Sequence, residues 1–268
     1  MSRETGLPNH PFFEAAQNGL ILVPHRGGNL AGMDRQNTPE AFESAVAAGL
    51  DYAETDAIST ADDISVIFHG SEDLPKELRN GYPTSEEIEK LNHYEVIKKL
   101  GRALLRTDEL LSNYPELNLF IEPKTDRAVV PLARAIQLQN AEDRVNVGSF
   151  RYRRTQRVAE ILGKKISTSF FKYRGFQVHQ PGVTLVRAMN SNGFNILQVP
   201  HDMVGESELD KYKSMGLWVI SWAKMGPRDD PRKYDTPAYI ERAFTMGFDG
   251  VISDHTKELS AIKNGSAG

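Results

Sequence analysis

Short apolar segments that favour β-strands alternate with helical segments along most of this chain, and this alternation constrains its fold more than any other feature. Segments with helical spacing include residues 39–49, 127–139 and 207–216. The candidate strands are LILVPH (20–25), YAETDA (52–57), ISVIFH (64–69), LNLFIEPK (117–124), RVNVGSF (144–150), KISTSF (165–170), NILQVP (195–200), LWVISW (217–222) and GVISD (250–254). A strand–helix unit that repeats about eight times predicts a parallel sheet with crossover helices. Eight such units in roughly 245 residues favour a closed (β/α)8 TIM barrel over an open doubly wound sheet.

Two polar segments interrupt the alternation. Residues 70–105 are polar and charged, and we interpret them as an insertion over one end of the barrel, with a short helix near residues 84–91. A second loop, residues 225–237, is rich in proline and charge. Neither segment has the composition of a separate domain, and α/β barrels of similar length are commonly single domains. We therefore expect residues 1–268 to form one TIM-barrel domain.

The composition excludes several classes of function. The chain has no cysteine, which rules out disulfides, thiolate metal sites and a cysteine nucleophile. Its 32 Lys and Arg residues are outnumbered by 36 Asp and Glu residues, so its charge does not suggest a nucleic acid or an anionic membrane as a partner. The sequence has neither the apolar run of a membrane span nor that of a signal peptide at its start. We expect a cytoplasmic protein that binds a small molecule, with no nucleic acid partner and no stable membrane insertion.

The glycines after the first candidate strand do not form a nucleotide-binding loop. Gly27 and Gly32 have the spacing of a phosphate-binding loop, but Met33 and Asp34 stand where that loop requires Lys and then Ser or Thr. No G-x-G-x-x-G motif opens a helix, and the first helix begins too far beyond the strand to direct its N-terminus at a pyrophosphate. We therefore reject both nucleotide-binding interpretations.

Acidic residues cluster at the carboxyl ends of two candidate strands. Glu54 and Asp56 lie two residues apart on one strand, so both side chains project from the same face. Glu122 and Lys124 repeat this arrangement on another strand. Because neighbouring buried carboxylates need a cation or a proton to compensate them, the three acids favour a divalent metal site. Oxygen ligands favour Mg²⁺ or Ca²⁺ over zinc. The alternative is that Glu54 and Asp56 form a solvated pair at the rim of the sheet.

Two of the histidines end candidate strands. His25 ends the first strand and His69 ends the segment ISVIFH, at the carboxyl end where barrel enzymes have their active sites. Two imidazoles with a pKa near neutrality can take up one proton and donate another. With a metal ion and the cations Arg26 and Lys124, such a pair could cleave a phosphoester. Trp222 ends its own strand and could form the floor of the pocket.

The order and spacing of these motifs resemble those of the glycerophosphodiester phosphodiesterase family. The matching segments are HRG (25–27), QNTPEAFESAVAAGLDYAETDA (36–57), TADDISVIFH (60–69), FIEPK (120–124), VGSF (147–150), GLWVISW (216–222) and GFDGVISD (247–254). Each motif alone is weak, but together they follow the order of the family and extend over nearly the whole chain.

The resemblance implies a TIM-barrel phosphoric diester hydrolase. Such an enzyme uses a divalent metal ion to cleave glycerophosphodiesters to glycerol 3-phosphate and an alcohol. Carried over residue by residue, the resemblance assigns metal ligands, a general acid–base pair and substrate contacts. The metal ligands would be Glu54, Asp56 and Glu122, the acid–base pair His25 and His69, and the substrate contacts Arg26, Lys124 and Trp222.

The chain departs from the family pattern around this site. The P-E-N-T motif of the family reads R-Q-N-T at residues 35–38, so Gln36 replaces its glutamate. Gly70 replaces the aspartate that follows the second histidine, and Ala223 begins the segment that replaces a threonine and an asparagine. These departures leave two alternative functions open. One is phospholipase D-like cleavage of lysophospholipids, and the other is a non-catalytic barrel that binds a phosphoester.

Overall fold

The computed structural model describes residues 10–14, 20–72, 81–163, 165–172, 194–223 and 235–265. Within these ranges the strands are β1 (Ile21–Pro24), β2 (Tyr52–Ser59), β3 (Ser65–Ile67), β4 (Asn118–Pro123), β5 (Val145–Ser149), β6 (Ser167–Phe171), β7 (Ile196–Pro200), β8 (Trp218–Trp222) and β9 (Gly250–Ser253). The helices in the same ranges are α1 (Pro39–Ala47), α2 (Ser85–Ile88), α3 (His93–Leu100), α4 (Thr107–Asn113), α5 (Val129–Leu138), α6 (Tyr152–Ile161), α7 (Glu206–Ser214), α8 (Pro237–Thr245) and α9 (Thr256–Lys263). Most of the proline-rich loop predicted at 225–237 lies outside the described residues.

The strands form one curled sheet whose two ends meet. Among the described residues its hydrogen-bonded order is β1-β9-β8-β7-β6-β5-β4-β2-β3, and each neighbouring pair is parallel except β2 with β3. Arg26 follows β1, and its backbone N–H donates to the carboxylate of Glu54 on β2 at 3.1 Å, which joins the two ends of the parallel array. Eight parallel strands surrounded by helices confirm the predicted (β/α)8 TIM barrel. The end at which the parallel strands have their carboxyl ends is called the mouth below.

β3 is not a barrel strand, although the sequence places ISVIFH among the alternating strands. It runs antiparallel to β2, with Ile67 opposite Ala57. The connection between β2 and β3 is a tight turn, which is too short for the crossover that a parallel pair requires. β2 extends past the mouth, and β3 runs back along the end of β2 in the opposite direction. The N–H of Phe68 donates to the carbonyl of Asp56 at 3.0 Å, which brings the next residue, His69, back to the level of that carboxylate.

Alternation along β2 divides its side chains between the barrel interior and the outer helices. Tyr52 belongs to the cluster of apolar residues inside the barrel, whereas Ala53 and Ala57 pack in the cluster beneath the outer helices. Because successive side chains of a strand point to opposite faces, Glu54 and Asp56 follow Tyr52 into the interior. The same strand therefore supplies a core residue at its start and carboxylates at the mouth.

A 3-10 turn at Pro11–Phe13 fills the amino end of the barrel. The ring of Phe12 lies 5.4 Å from that of Tyr52, whose hydroxyl donates to the carbonyl of Phe12 at 2.6 Å. Phe13 stacks on Trp218 with ring centroids 5.2 Å apart. Since aromatic side chains occupy this end of the interior, the space for a ligand lies at the mouth.

The described part of the predicted insertion, residues 70–72 and 81–105, forms a small layer over the β2–β3 hairpin. The prediction of a short helix near residues 84–91 is confirmed by α2, whose N-cap Thr84 accepts a hydrogen bond from the N–H of Glu87 at 3.3 Å. The hairpin and the insertion share one apolar cluster, formed by Ile58, Val66, Phe68, Ile88, Val96 and Leu104. None of the described helices is both long enough and apolar enough to cross a bilayer.

Candidate functional site

Six residues singled out in the sequence meet on one side of the mouth. They come from β1, β2 and β4 or from the residues immediately after these strands, and they are His25, Arg26, Glu54, Asp56, Glu122 and Lys124. The register of β2 and β4 places Asp56 directly opposite Glu122. Because residues paired in this way project from the same face of a sheet, both carboxylates point into the mouth. The structure therefore brings the predicted acids and cations together.

His25 lies between two carboxylates. Its Nδ1 is 2.8 Å from Oδ1 of Asp254, which follows β9, and its Nε2 is 3.8 Å from Oε2 of Glu54. Burial would raise the pKa of Asp254, but the charge and hydrogen bond of His25 outweigh burial and lower it, so Asp254 is ionised and accepts the Nδ1 proton. Burial and Arg26 act to lower the pKa of His25, yet Asp254 and Glu54 outweigh them and raise it. The arrangement leaves Nε2 as the ring atom that faces the mouth.

Arg26 has a left-handed backbone conformation, with φ of 52° and ψ of 37°. This conformation costs a residue other than glycine about 1–2 kcal/mol. It directs the backbone N–H to Glu54, while the side-chain Nε lies 3.2 Å from Oδ2 of Asp56. The carbonyl of Arg26 accepts the N–H of Asn37 at 2.9 Å. The strained residue thus fixes the seam between β1 and β2 and places a cation at the mouth.

Lys124 bridges the carboxylates of two strands. Its Nζ lies 3.6 Å from Oδ1 of Asp56 and 3.3 Å from Oε2 of Glu122. All three side chains are largely withdrawn from solvent, with 12%, 3% and 9% of their surfaces exposed for Lys124, Asp56 and Glu122. Water screens such a group weakly, so these contacts constrain the ammonium more strongly than a surface ion pair would.

The pKa values of Glu54 and Asp56 shift in opposite directions. Burial and the negative charge of Asp56 raise the pKa of Glu54 to about 7. Burial also acts to raise the pKa of Asp56, but the charges of His69, Lys124 and Arg26 outweigh it and hold that pKa well below its usual range. The mouth therefore contains one carboxylate that stays ionised and one that exchanges its proton near neutral pH.

His69 reaches the site from the hairpin rather than from the barrel. It follows β3, and its positive charge contributes to lowering the pKa of Asp56, as does that of His25. The two histidines therefore act on the same carboxylate from different structural elements. The sequence predicts their common location but not the antiparallel strand that produces it.

Aromatic residues lie at or just after the carboxyl ends of β5, β6 and β8. Trp222 ends β8, and the ring of Phe150, after β5, lies 5.9 Å from it in an edge-to-face contact. Phe150 also meets Phe171, at the end of β6, with ring centroids 4.9 Å apart. Phe150 retains 38% of its surface exposed. The sequence singles out Trp222 but gives Phe150 and Phe171 no role.

The three predicted metal ligands fit a divalent cation in their donor chemistry. As the side chains stand, the described residues contain no group of three or more His, Asp or Glu arranged to hold a metal ion. Glu54, Asp56 and Glu122 nevertheless present carboxylate oxygens, which Mg²⁺ and Ca²⁺ prefer, on adjacent strands. Burial and the charge of Asp56 raise the pKa of Glu54 despite the nearby His25 and Arg26, so a bound cation would favour its ionised form.

Three polar residues at the site have contacts that the sequence did not predict. Asp254 binds His25, and Gln36 donates its amide Nε2–H to Oδ1 of Asp254 at 2.5 Å. Asn37, which has a φ of 60°, donates its side-chain amide to Oδ2 of Asp56 at 3.3 Å. The position of Asp254 immediately after the last strand is a signal that could have revealed it. The contact made by Asn37 depends on its left-handed backbone, which motif spacing does not indicate.

Position 70 has no space for the carboxylate that the family pattern places there. A Cβ at Gly70 would lie 2.0 Å from Oε2 of Glu72 and 2.3 Å from the backbone N of Ser85. Glu72 accepts hydrogen bonds from the N–H and the hydroxyl of Ser85, at 3.0 and 2.6 Å. A carboxylate is therefore present beside Gly70, but it belongs to the residue two positions later.

Comparison with known proteins gives one consistent family. The model of the Glycerophosphoryl diester phosphodiesterase family matches residues 25–258. A Mycobacterium tuberculosis protein named Probable glycerophosphodiester phosphodiesterase 2 is 30% identical over 273 residues, which cover 96% of this chain and 95% of the relative.

Solved structures share the fold at lower identity. A putative glycerophosphoryl diester phosphodiesterase from Silicibacter pomeroyi has a TM-score of 0.74 and 17% identity, over 96% of this chain and 99% of that chain. A phosphodiesterase from Oleispira antarctica, in complex with the product sn-glycerol-3-phosphate, has a TM-score of 0.70 and 18% identity, over 92% of this chain and 99% of that chain. At these identities the likeness shows the fold alone.

Proposed function

The chain belongs to the glycerophosphoryl diester phosphodiesterase family, and we propose that it hydrolyses glycerophosphodiesters to glycerol 3-phosphate and an alcohol. The observation that carries this proposal is the meeting of two histidines and two cations around Asp56, whose pKa reflects all four of them. Cleavage of a phosphodiester requires cations for the phosphoryl oxygens, a group that accepts a proton and a group that donates one. The mouth holds all of these groups.

We assign proton transfer to His25 and His69. The Nδ1–H of His25 is engaged with Asp254, so its Nε2 exchanges a proton with the substrate. One histidine takes the proton of the attacking oxygen, which belongs to water or to the glycerol hydroxyl of the substrate. The other donates a proton to the alkoxide as its bond to phosphorus breaks. The alcohol then leaves neutral. Attack by water gives glycerol 3-phosphate directly, whereas attack by the glycerol hydroxyl gives a cyclic phosphodiester that water opens in a second displacement.

We assign binding of the phosphate to Arg26 and Lys124. Their contacts with Asp56 hold both cations at the mouth before a substrate arrives. Side chains that are already fixed need little reorganisation when negative charge develops on the phosphoryl oxygens. Trp222 and the neighbouring Phe150 provide an apolar surface for the glycerol or the leaving alcohol.

We propose Glu54, Asp56 and Glu122 as ligands of a divalent metal ion, either Mg²⁺ or Ca²⁺. When bound, such an ion neutralises charge on the phosphoryl oxygens and makes a coordinated oxygen easier to deprotonate. Glu54 must be ionised to serve as a ligand, and its pKa of about 7 in the metal-free chain makes cation binding stronger as the pH rises through neutrality.

The aromatic side of the mouth favours a second candidate, phospholipase D-like cleavage of a lysophospholipid. Phe150 is more than a third exposed and packs against both Trp222 and Phe171. A partly exposed aromatic surface next to a phosphate site can contact an acyl chain as well as a small alcohol.

One substrate panel tests both candidates. The purified protein is incubated with glycerophosphodiesters and with lysophospholipids, in Mg²⁺ and in Ca²⁺, and released choline, ethanolamine and glycerol 3-phosphate are measured. Glycerol 3-phosphate from the diesters supports the proposed function. Release of choline from lysophosphatidylcholine, with no product from the glycerophosphodiesters, supports the second candidate. Binding of a diester without release of any product identifies a non-catalytic barrel and overturns both.

A further inference from the structure

Gln36 and His25 contact the same oxygen atom. Oδ1 of Asp254 accepts the amide Nε2–H of Gln36 at 2.5 Å and the Nδ1–H of His25 at 2.8 Å. A carboxylate oxygen has two lone pairs, so it accepts both donors at once. The catalytic scheme above gives Gln36 no role.

The residues around this hydrogen bond are fixed on both sides. Next to Gln36, the N–H of Asn37 donates to the carbonyl of Arg26 at 2.9 Å. On the other side, the N–H of Asp254 donates to Oδ2 of Asp235 at 2.6 Å. With both backbones held, the remaining freedom of Asp254 is rotation of its own carboxylate. The amide of Gln36 restricts this rotation.

We propose that Gln36 is a positioning residue that holds the carboxylate of Asp254 in register with Nδ1 of His25. The inference rests on the proposed function, in which Nε2 of His25 exchanges a proton with the substrate. A carboxylate free to rotate would leave the imidazole free to turn, and Nε2 would spend less time directed at the phosphate. An orienting carboxylate of this kind fixes both the tautomer and the ring orientation of a catalytic histidine.

The identity of residue 36 matters for this role. A glutamate would have nearly the same size and shape as Gln36. An ionised carboxylate there would be repelled by Asp254, whereas a neutral amide donates a hydrogen bond and adds no charge. In this chain the amide therefore supports the ionised state of Asp254 on which His25 depends, since its hydrogen bond helps to lower the pKa of Asp254.

Removal of the amide without loss of volume tests the proposal. Gln36→Met keeps the length of the side chain but cannot donate a hydrogen bond, and we expect kcat to fall about tenfold, which corresponds to about 1.4 kcal/mol, with KM unchanged. The same change at the exposed Gln137 on α5 is the matched control and should leave both constants at the wild-type values. In an Asp254→Ala background, Gln36→Met should cause no further loss. A full additional loss there, or wild-type kcat in Gln36→Met, overturns the proposal.

A measurement that needs no turnover separates this inference from the proposed function. In protein labelled with ¹⁵N-histidine, the Nδ1–H of His25 should give a signal that exchanges slowly with water, identified by its absence in His25→Ala. The signal should broaden or disappear in Gln36→Met and persist in Gln137→Met. An unchanged signal in Gln36→Met overturns the positioning role even if the wild type cleaves diesters. If the wild type cleaves none, the proposed function fails and this signal alone decides whether Gln36 positions the ring. Gln36→Leu replaces Gln36→Met if that variant does not fold.

Discussion

Nε2 of His25 lies 3.8 Å from Oε2 of Glu54, across the seam where the first and second strands of the barrel meet. The contact places the proposed proton-transfer atom beside the carboxylate whose pKa is raised to about 7. The histidine and the acid therefore titrate as neighbours, and the charge on each depends on the other.

His25→Ala and His69→Ala should each lower kcat by at least ~100-fold, the usual effect of losing a general acid or base. His93→Ala is the control, since His93 lies at the start of α3 in the insertion and has no role in the proposed chemistry. Steady-state kinetics on the best diester of the panel provides the measurement. Near wild-type turnover in either site variant would remove that histidine from the mechanism.

Glu54 should make the metal-free protein less stable as the pH rises. Its folded pKa of about 7 lies above the unfolded value of 4.5, so the stabilisation is complete below pH 4.5 and is lost as the pH rises through about 7. The loss amounts to about 3 kcal/mol at most. Denaturant unfolding in EDTA between pH 5 and pH 8 should show a steeper decline for the wild type than for Glu54→Gln. Parallel curves would mean that Glu54 is not protonated in this range.

Divalent cations should affect both activity and stability. EDTA should abolish turnover and lower Tm, and Mg²⁺ or Ca²⁺ should restore both. An ion at a hundredfold excess over its Kd adds about 2.7 kcal/mol, which is a shift of roughly 5 °C for a chain of this size. The double variant Glu54→Gln, Glu122→Gln should melt at nearly the same temperature with and without the ion. Full wild-type turnover in EDTA, with an unchanged Tm, would show that the three acids do not form a metal site.

Gly70→Asp should destabilise the protein by about 1–3 kcal/mol, the usual cost of overpacking. The new Cβ would meet Glu72 and the backbone of Ser85, and the new carboxylate would face that of Glu72. The double variant Gly70→Asp, Glu72→Gly removes the contact with Glu72, but the new Cβ still lies against the backbone N of Ser85. We therefore expect the double variant to recover only part of the free energy of unfolding. If the single variant is as stable as the wild type, the neighbouring residues move aside without loss of free energy of unfolding, and the prediction is wrong.

The barrel could be predicted from the sequence because its signals are local. The alternation in YAETDA assigned Glu54 and Asp56 to one face, and the β2 strand of the structure places them there. The direction of β3 does not follow from the apolar alternation in ISVIFH, which is the same for a parallel and an antiparallel strand. The signal that could have revealed it is the short segment 58–63, which is too short for a parallel crossover. The hydrogen bond between His25 and Asp254 joins residues 229 positions apart, and only the closure of the barrel makes them neighbours.

The arginines of RYRRTQR (151–157) have a contact that a helical pattern does not predict. The pattern is typical of a solvated helix face, and α6 begins within it. Arg154, however, contacts the carboxylate of Asp126 at 2.6 Å and the carbonyl of Lys124. Long side chains reach the ends of neighbouring strands, and the periodicity of a helix does not reveal which strand end lies within their reach.

The antiparallel course of β3 means that the two proposed catalytic histidines are anchored in different ways. His25 directly follows a strand of the closed barrel. His69 follows β3, which packs with the insertion in a separate apolar cluster. Small peripheral layers open at lower free-energy cost than a barrel core. Heating can therefore inactivate the protein by displacing His69 from the site while the barrel stays folded. Thermal inactivation would then precede thermal unfolding and would reverse on cooling.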